Sequence, residues 1–295
     1  MNIRKIMAPA TASAKAAENL FPREVRLYED PIAERFVTPL MRIILRIMKN
    51  PKMFESMMAL REKMSPGVMG SLFCRTRYID DLLNRAAAEG FTSFVNLGAG
   101  YDTRTFRFDF LKKANFYEVD LPPVLKGKKK IADKKLGGVP PFVKFVPIDF
   151  DAQDLETELK KAGYNRDEKT LFIMEGVTQY ILPEANESNF RYIAGCAEGG
   201  KVAFTYILES FIKGTSHQEK KWAAMRKQML KQGKPLWVTG YSQERIRNIL
   251  DKYGFQVIED IGREDYIERY MKPNNRETPV MDLERMLLAE VKTGK

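Results

Sequence analysis

Residues 94 to 108 read Phe94-Val-Asn-Leu-Gly-Ala-Gly-Tyr-Asp-Thr-Arg-Thr-Phe-Arg-Phe108, an apolar run that leads directly into two glycines. Gly98 and Gly100 have no side chain, so the backbone can bend sharply there and a ligand can approach it closely. The first turn of nucleotide-binding α/β sheets uses glycines in this way. A dinucleotide site would need a third glycine at position 103, where this chain has Thr. The stretch therefore predicts a strand, a tight turn and an adenosine-like ligand without a pyrophosphate.

Three further apolar runs each end in an acid. They are Asn115–Asp120, Val143–Asp149 and Thr170–Glu175. In a parallel sheet the carboxyl ends of the strands share one edge, so these acids should converge on the glycine turn. Turns and helix N-caps also favour Asp and Glu, but three such acids together favour a binding site. Acids suit an adenosine with a cationic sulfur, which is the charge pattern of S-adenosyl-L-methionine.

The chain resembles the leucine carboxyl methyltransferase family, which includes O-methyltransferases of polyketides and other small molecules. The resemblance rests on motifs spaced along nearly the whole chain: Asp30–Ala33, Arg75–Asp81, Val95–Arg104, Glu118–Pro122, Glu175–Gly176 with Tyr180, Gly233–Pro235, Gly254–Phe255 and Arg269–Tyr270. It implies an α/β, Rossmann-like class I methyltransferase fold, in which S-adenosyl-L-methionine donates its methyl group to an oxygen, often of a carboxylate.

The resemblance also implies roles for individual residues. Arg75 would pair with the carboxylate of the cofactor, Asp120 would hold its ribose, and Glu175 would line its methionine end. Asp149 and the backbone of Phe150 would read the adenine. The remaining cofactor-binding candidates flank these positions, and they are Gly98, Ala99, Gly100, Leu121 and Gly176.

Two assignments stay open at this point. Arg77 could replace Arg75, and family members use a basic residue near the N-terminus that could be Lys15, Arg23 or Arg26. A carboxylate acceptor needs no general base, because positioning supplies most of the effect. A phenol or alcohol acceptor would need one, and Tyr180 is the catalytic candidate, with Glu175 and His217 as alternatives.

Composition limits the other function classes. The chain has 295 residues, 44% of them hydrophobic, and only one histidine, so a Ser-His-Asp hydrolase or a multi-histidine metal site is disfavoured. Cys74 and Cys196 lack metal-ligand spacing and are expected to be reduced thiols. We expect no metal, no membrane span, no signal segment and a cytoplasmic location.

The predicted organisation is one methyltransferase domain over residues 1–295. An N-terminal helical cap (1–90) precedes the cofactor-binding core (91–208), a lid insertion over the substrate (209–241) and C-terminal strands that complete the sheet (242–295). We expect a mostly parallel sheet of seven strands with helices on both faces, the last strand being antiparallel. Strands five to seven are predicted at Lys201–Ile207, Phe255–Asp260 and Arg285–Val291.

Several apolar residues outside the sheet are expected to be core. These are Leu40, Ile43, Ile44, Ile47 and Met48, which share one helical face. Packing is also favoured over a pocket wall for the methionines at 53, 57, 58 and 64. Trp222, Trp237 and Tyr241 are expected to be hydrophobic anchors beneath the lid.

The net positive charge of the chain bears on which molecule accepts the methyl group. The net charge of +10 would steer an anionic acceptor, and a small anionic molecule is the preferred one. Modified transfer RNA remains an alternative, although the basic residues are scattered among acids and no nucleic-acid motif accompanies them. A protein C-terminal carboxylate and a non-catalytic S-adenosyl-L-methionine-binding scaffold are further alternatives.

Overall fold

Seven strands form one sheet in the computed structural model, which describes residues 3–215, 222–223, 227 and 237–292. The strand order is β3-β2-β1-β4-β5-β7-β6. Strands β1 to β5 are mutually parallel, whereas β7 runs antiparallel to both β5 and β6. The predicted sheet is confirmed, with strands β1 Ser93–Leu97, β2 Asn115–Asp120, β3 Val143–Pro147, β4 Thr170–Met174, β5 Lys201–Ile207, β6 Phe255–Ile261 and β7 Glu284–Val291.

Helices surround the sheet and also precede it. Five come before β1: α1 Ile3–Glu18, α2 Ala33–Phe36, α3 Pro39–Ile47, α4 Pro51–Met64 and α5 Val68–Ala88. The others lie between strands: α6 Arg104–Arg107, α7 Pro122–Lys135, α8 Leu155–Lys161, α9 Pro183–Ala194, α10 Glu209–Lys213, α11 Gln243–Tyr253 and α12 Arg263–Tyr266. A π-helical turn, Ile267–Met271, follows α12.

The sheet has a hydrophobic core on each face. Side chains alternate along a strand, so Phe94 packs with α1 and α5 while its neighbour Val95 packs with α8, α9 and α11. All five residues of β1 and of β4 are buried, as expected for central strands of a parallel sheet that is covered on both sides. This burial holds the carboxyl ends of β1 and β4 in fixed positions.

The N-terminal helices are less buried than the apolar pattern predicts. Leu40, Ile43 and Ile47 are 68%, 53% and 48% exposed, so the expectation that they are core residues is wrong. Met48 of the same predicted set is buried and Ile44 packs against the core, as expected, and Leu45, which was outside the set, is buried as well. The apolar face of α3 is wider than the surface that the rest of the protein covers, which is why the helical spacing alone misassigned its outer half.

The proposed lid lies mostly outside the described residues. Structure is assigned to α10 and to residues 237–241, but His217 and most of residues 216–236 are not described. Trp222, Trp237 and Tyr241 are buried, as expected for hydrophobic anchors. Cys74 and Cys196 are buried free thiols.

Two kinds of feature are absent from the described residues. In that part of the chain no helix is long and apolar enough to span a membrane. Nor does it bring three or more His, Cys, Asp or Glu side chains together in a way that could hold a metal ion.

Candidate active site

A cavity of about 580 Å³ opens at the carboxyl edge of the sheet, between β1, β2, β4 and the helices α1, α4 and α5. Of the eleven site residues predicted from the sequence, ten line it. They are Arg75, Gly98, Ala99, Gly100, Asp120, Leu121, Phe150, Glu175, Gly176 and Tyr180. The convergence expected for parallel strand ends is therefore present.

Asp149 is the exception. It lies two residues beyond the end of β3, where its backbone N–H donates to Gln153 Oε1 at 2.9 Å and its Oδ1 accepts from the Asp151 N–H at 3.3 Å. The neighbouring Phe150 lines the cavity, whereas Asp149 is not among the lining residues. A role for Asp149 with adenine stays a prediction.

The glycine turn requires its glycines. Gly98 has φ +73°, and a Cβ at this position would lie 2.3 Å from Val177 Cγ2. The N–H groups of Gly98 and Ala99 both donate to the carbonyl of Val119, at 2.7 and 3.0 Å. Any side chain at position 98 would have to displace the side chain of Val177, which follows β4, so glycine keeps this part of the edge compact.

Asp120 closes the turn from the neighbouring strand. Its Oδ2 accepts the N–H of Gly100 and its Oδ1 the N–H of Leu121, both at 2.6 Å. Each carboxylate oxygen has a second lone pair, so the side chain can still accept hydrogen bonds from a ligand in the cavity. Asp120 therefore shapes the turn in addition to the binding role predicted for it.

Glu175 lies among three cations. Its Oε1 accepts from Arg75 Nε at 3.2 Å, and its Oε2 accepts from Arg104 Nη1 at 2.8 Å and from Lys15 Nζ at 3.3 Å. Burial raises the pKa of this carboxyl, but the charges of Lys15, Arg104 and Arg75 outweigh it and lower the pKa to about 2. Glu175 is thus an anion throughout the physiological range.

Lys15 is the basic N-terminal residue that the structure brings to the site. It lines the cavity, is 4% exposed, and lies 3.5 Å from Asp102 Oδ2. Arg23 is exposed on the surface, and Arg26 donates to the carbonyls of Asn19 and Phe21. The sequence left these three residues open because α1 is separated from the sheet edge by eighty residues of chain.

Arg75 also reaches the cavity, whereas Arg77 does not line it. Arg75 Nη1 donates to Glu284 Oε2 at 2.7 Å, so one guanidinium holds both Glu175 and Glu284. Burial opposes the charge of Arg75, but the two carboxylates raise its pKa above the ordinary value. Gly176, at φ +68°, leaves the guanidinium room, because a Cβ there would lie 3.0 Å from Arg75 Nη2.

Asp102 and Arg104 belong to the site but are absent from the predicted set. Arg104 is 1% exposed and donates to Asp80, Asp102 and Glu175. Burial opposes ionisation of Asp102, yet Arg104, Lys15 and Lys128 hold its pKa well below the ordinary value. Both residues stand in the glycine stretch itself, so the signal was their position immediately after the turn.

The other end of the cavity is apolar. It is lined by side chains of α4, α5 and the segment before β7, among them Met57, Leu60, Met64, Met69 and Met281, and by Trp237 from the segment before α11. Two of the four methionines for which packing was favoured, Met57 and Met64, therefore form the cavity wall. Arg61 is the charged residue of α4 that lines the same cavity.

Tyr180 lines the cavity near Arg75 and Trp237. Burial raises the pKa of its phenol, while Trp237 and the charge of Arg75 oppose the shift. A phenol with a raised pKa stays protonated near neutral pH and is a hydrogen-bond donor rather than a base. Tyr180, predicted to be catalytic, is therefore better suited to positioning a substrate by a hydrogen bond than to taking the proton of that substrate.

Comparison with known proteins identifies the family and the fold of the chain. The leucine carboxyl methyltransferase family model matches residues 8–194. Two solved structures share the fold: a provisionally named methyltransferase from Thermobifida fusca (TM-score 0.56, 15% identity, 88% of this chain and 90% of that one) and a duf574 family protein from Streptomyces avermitilis (0.54, 11%, 94% and 96%). The fold is that of the class I methyltransferases. The chain belongs to the leucine carboxyl methyltransferase family.

Two bacterial relatives carry the provisional name S-adenosyl-L-methionine-dependent methyltransferase. A protein of Mycobacteroides abscessus is 32% identical over 140 residues, which is 47% of this chain and 44% of that protein. A Frankia alni protein is 30% identical over 195 residues, 66% of each chain. The chain thus spans less than half the length of the first of these relatives.

Proposed function

We propose that the protein is an S-adenosyl-L-methionine-dependent O-methyltransferase that acts on a hydroxyl or a carboxylate of a small molecule. The observation that carries this proposal is the single cavity that joins the glycine turn, Asp120 and Glu175 to an apolar end. The charged end suits a zwitterionic, sulfonium-bearing nucleoside, and the apolar end suits a small organic acceptor.

The donor set fits the cofactor. Asp120 would accept hydrogen bonds from the ribose hydroxyls, and the glycine turn allows close approach to the backbone. Glu175 would face the cationic amino group of the methionine end. Arg75 and Lys15 supply positive charge for its carboxylate. When bound, S-adenosyl-L-methionine supplies an activated methyl group on a sulfonium.

The residues of the chain would contribute chiefly by positioning. An in-line displacement from a sulfonium proceeds when the acceptor oxygen is held close to the methyl carbon, and positioning of this kind can supply most of the rate effect. The buried strands β1 and β4 fix the charged end, while α4 and α5 hold the acceptor wall. An acceptor bound against the apolar wall would displace water there, which would protect the sulfonium from other nucleophiles.

The proposal is tested by calorimetric titration of the protein with S-adenosyl-L-methionine, with its demethylated product and with NAD. We expect micromolar binding of the first two and none of NAD. A second experiment supplies methyl-labelled cofactor with a panel of phenols, alcohols and carboxylic acids and locates the label by mass spectrometry. Binding of NAD alone, or label found only on nitrogen or carbon, contradicts the proposal.

A further inference from the structure

Glu284 is a fourth carboxylate on the cavity wall, and no sequence motif pointed to it. It begins β7, where it pairs with Ile207 at the end of β5. Because β7 is antiparallel, its first residue lies at the carboxyl edge of the sheet, with the ends of β4 and β5. Glu284 is therefore at the same edge as the glycine turn, on the side of the sheet away from Asp120.

One oxygen of Glu284 is held and the other is not. The side chain is 2% exposed, and Oε2 accepts from Arg75 Nη1 at 2.7 Å. Oε1 is buried and has no hydrogen-bond partner among the described residues. A buried carboxylate oxygen without a partner is unfavourable, and because Glu284 lines the cavity, a donor bound there could supply the missing hydrogen bond.

Each of the other carboxylates of the cavity has at least two partners within the protein. Glu175 accepts from three cations, Asp102 pairs with Arg104 and Lys15, and Asp120 accepts two backbone N–H groups. Strong pairing makes a carboxylate a poor base, because proton uptake must first break those interactions. Among the described residues, Glu284 has one hydrogen-bond partner, Arg75.

The charges and the burial around Glu284 also favour a role as a proton acceptor. Burial raises its pKa above the ordinary value, Arg75 opposes that shift, and the negative charge of Glu175 adds to it. Tyr180 and Tyr266, both with raised pKa values, also feel its charge. A carboxylate with a raised pKa takes a proton more readily, and general bases work best when their pKa approaches the working pH.

Glu284 is also close to the methionine end of the site. The guanidinium of Arg75 bridges it to Glu175, so the two carboxylates are separated by a single side chain. The apolar wall with Met69, Met281 and Trp237 belongs to the same cavity. An acceptor lying on that wall would bring its reacting oxygen between the wall and these two carboxylates.

We propose that Glu284 Oε1 accepts the proton of the acceptor hydroxyl, and that the acceptor is an apolar molecule with a neutral phenol or alcohol group. The inference rests on the proposed function and narrows its acceptor from hydroxyl or carboxylate to hydroxyl. A hydroxyl placed next to Oε1 can donate its proton, whereas an ionised carboxylate there has no proton to donate and sets two anionic oxygens side by side. The anionic acceptor suggested by net charge is thus disfavoured at this site.

Methyl transfer is coupled to proton transfer from the acceptor to Glu284. The O–H bond of the acceptor breaks, and its proton passes to Glu284 Oε1. A lone pair of the acceptor oxygen forms the new bond to the methyl carbon, while the electron pair of the breaking C–S bond stays on sulfur, which becomes a neutral thioether. The products are a methyl ether, the demethylated cofactor and a protonated Glu284, which returns its proton to water after product release.

Binding of paired probes tests the inference without turnover. The protein is saturated with the demethylated cofactor and titrated at pH 8 with 4-hexylphenol and with 4-hexylbenzoate, which share an apolar body and differ in head group. We expect the wild type to bind the phenol at least about tenfold more tightly than the benzoate. Glu284→Gln should reduce that preference by at least about tenfold, and Glu284→Asp should retain most of it.

The control is Glu290→Gln, at the far end of the same strand, where Glu290 lies beside Lys201 on the surface. It should leave both the probe preference and the cofactor affinity of the wild type unchanged. A wild type that binds the cofactor product but prefers the benzoate, or binds neither probe, overturns the role of Glu284 alone. A wild type that does not bind the cofactor product contradicts the proposed function itself.

A second readout separates a base from a merely structural carboxylate. With 4-hexylphenol as acceptor, the base role predicts that Glu284→Gln lowers kcat much more than it raises KM, and that Glu284→Asp recovers part of kcat. It also predicts that Glu284→Gln lowers kcat less when the acceptor is 4-nitrophenol, whose phenol is more acidic. Equal losses for both phenols would overturn the proton-transfer role.

Discussion

The two ends of the cavity are built on opposite principles. At the end near Glu175, buried charges pair with one another, and Arg104 alone contacts three carboxylates. At the other end the lining is largely apolar, and Leu60 and Met64 remain 57% and 54% exposed. One end is held by directed ion pairs within the protein, whereas the other has no comparable network.

This difference has a physical consequence. Buried ions tolerate few arrangements, because removal of one partner leaves an unpaired charge in a low-dielectric interior. Apolar side chains, and methionines above all, repack around ligands of different shape at small cost. The charged end should therefore accept one ligand in one pose, and the apolar end should tolerate a range of acceptors.

Loss of Arg104 should have the largest effect. Arg104→Met leaves Asp80, Asp102 and Glu175 without their shared cation, and we expect it to lower the free energy of unfolding by about 3–5 kcal/mol. Urea denaturation followed by circular dichroism measures the change. Arg247→Met, which removes a surface arginine 3.4 Å from Asp260, serves as the control and should cost less than about 1 kcal/mol. Equal losses would mean that the charged end is not held by its ion pairs.

Acid should weaken the charged end through Glu175. Because its folded pKa is about 2 and its ordinary value is 4.5, the carboxylate stabilises the fold above pH 4.5, and that contribution is lost as the pH falls towards 2. The contribution is on the order of 3 kcal/mol. Denaturation of the wild type and of Glu175→Gln between pH 6 and 2 measures it, and the difference between the two proteins should shrink over that range. A constant difference would contradict the assigned pairing.

Asp120→Ala should weaken the cofactor end without unfolding it. The substitution removes the acceptor of the Gly100 and Leu121 N–H groups together with the predicted ribose contact, and we expect the affinity for S-adenosyl-L-methionine to fall by about 1–3 kcal/mol. Calorimetry measures the affinity. Asp251→Ala, which removes a surface carboxylate paired with Lys292, should leave it unchanged. Unchanged affinity in Asp120→Ala would remove the ribose from this part of the cavity.

The smallest effect is expected at the apolar end. Leu60→Ser should change the free energy of unfolding by less than about 0.5 kcal/mol, because the side chain is more than half exposed. It should nevertheless weaken 4-hexylphenol binding severalfold, since the side chain lines the cavity. Ile258→Ser, at an exposed position of β6, should change the free energy of unfolding equally little. It should leave the affinity for 4-hexylphenol unchanged. Similar binding in both variants would show that acceptors do not use the α4 wall.

Sequence reasoning succeeded where local pattern and topology determine position. All seven strands were predicted within about two residues of their observed ends, because alternating or continuous apolar runs bounded by turns are typical of strands. The glycine turn and Asp120 followed from the rule that parallel strand ends share an edge. The same rule placed Glu175 and Gly176.

It was less successful where partners come from distant elements. Lys15 stayed one of three options, and Glu284 was not recognised, because the contacts of both residues join segments far apart in the chain. Leu40 and Ile43 were assigned to the core, although a helical apolar face shows only where burial is favourable and not how much surface is available to cover it. Asp149 ends its apolar run as the other acids do but is not among the residues that line the cavity, so its role with adenine stays a prediction.

The order of residues alone was enough to predict the sheet, the family resemblance, the turn that approaches the ligand and the acids at the strand ends, since these depend on neighbours within a few positions or on one topological rule. Only the tertiary structure showed which cations pair with Glu175, which methionines face the cavity and which oxygen of Glu284 is unpartnered. Those features depend on burial and on contacts between α1, α5, β4 and β7, and long-range packing is not encoded in any local pattern.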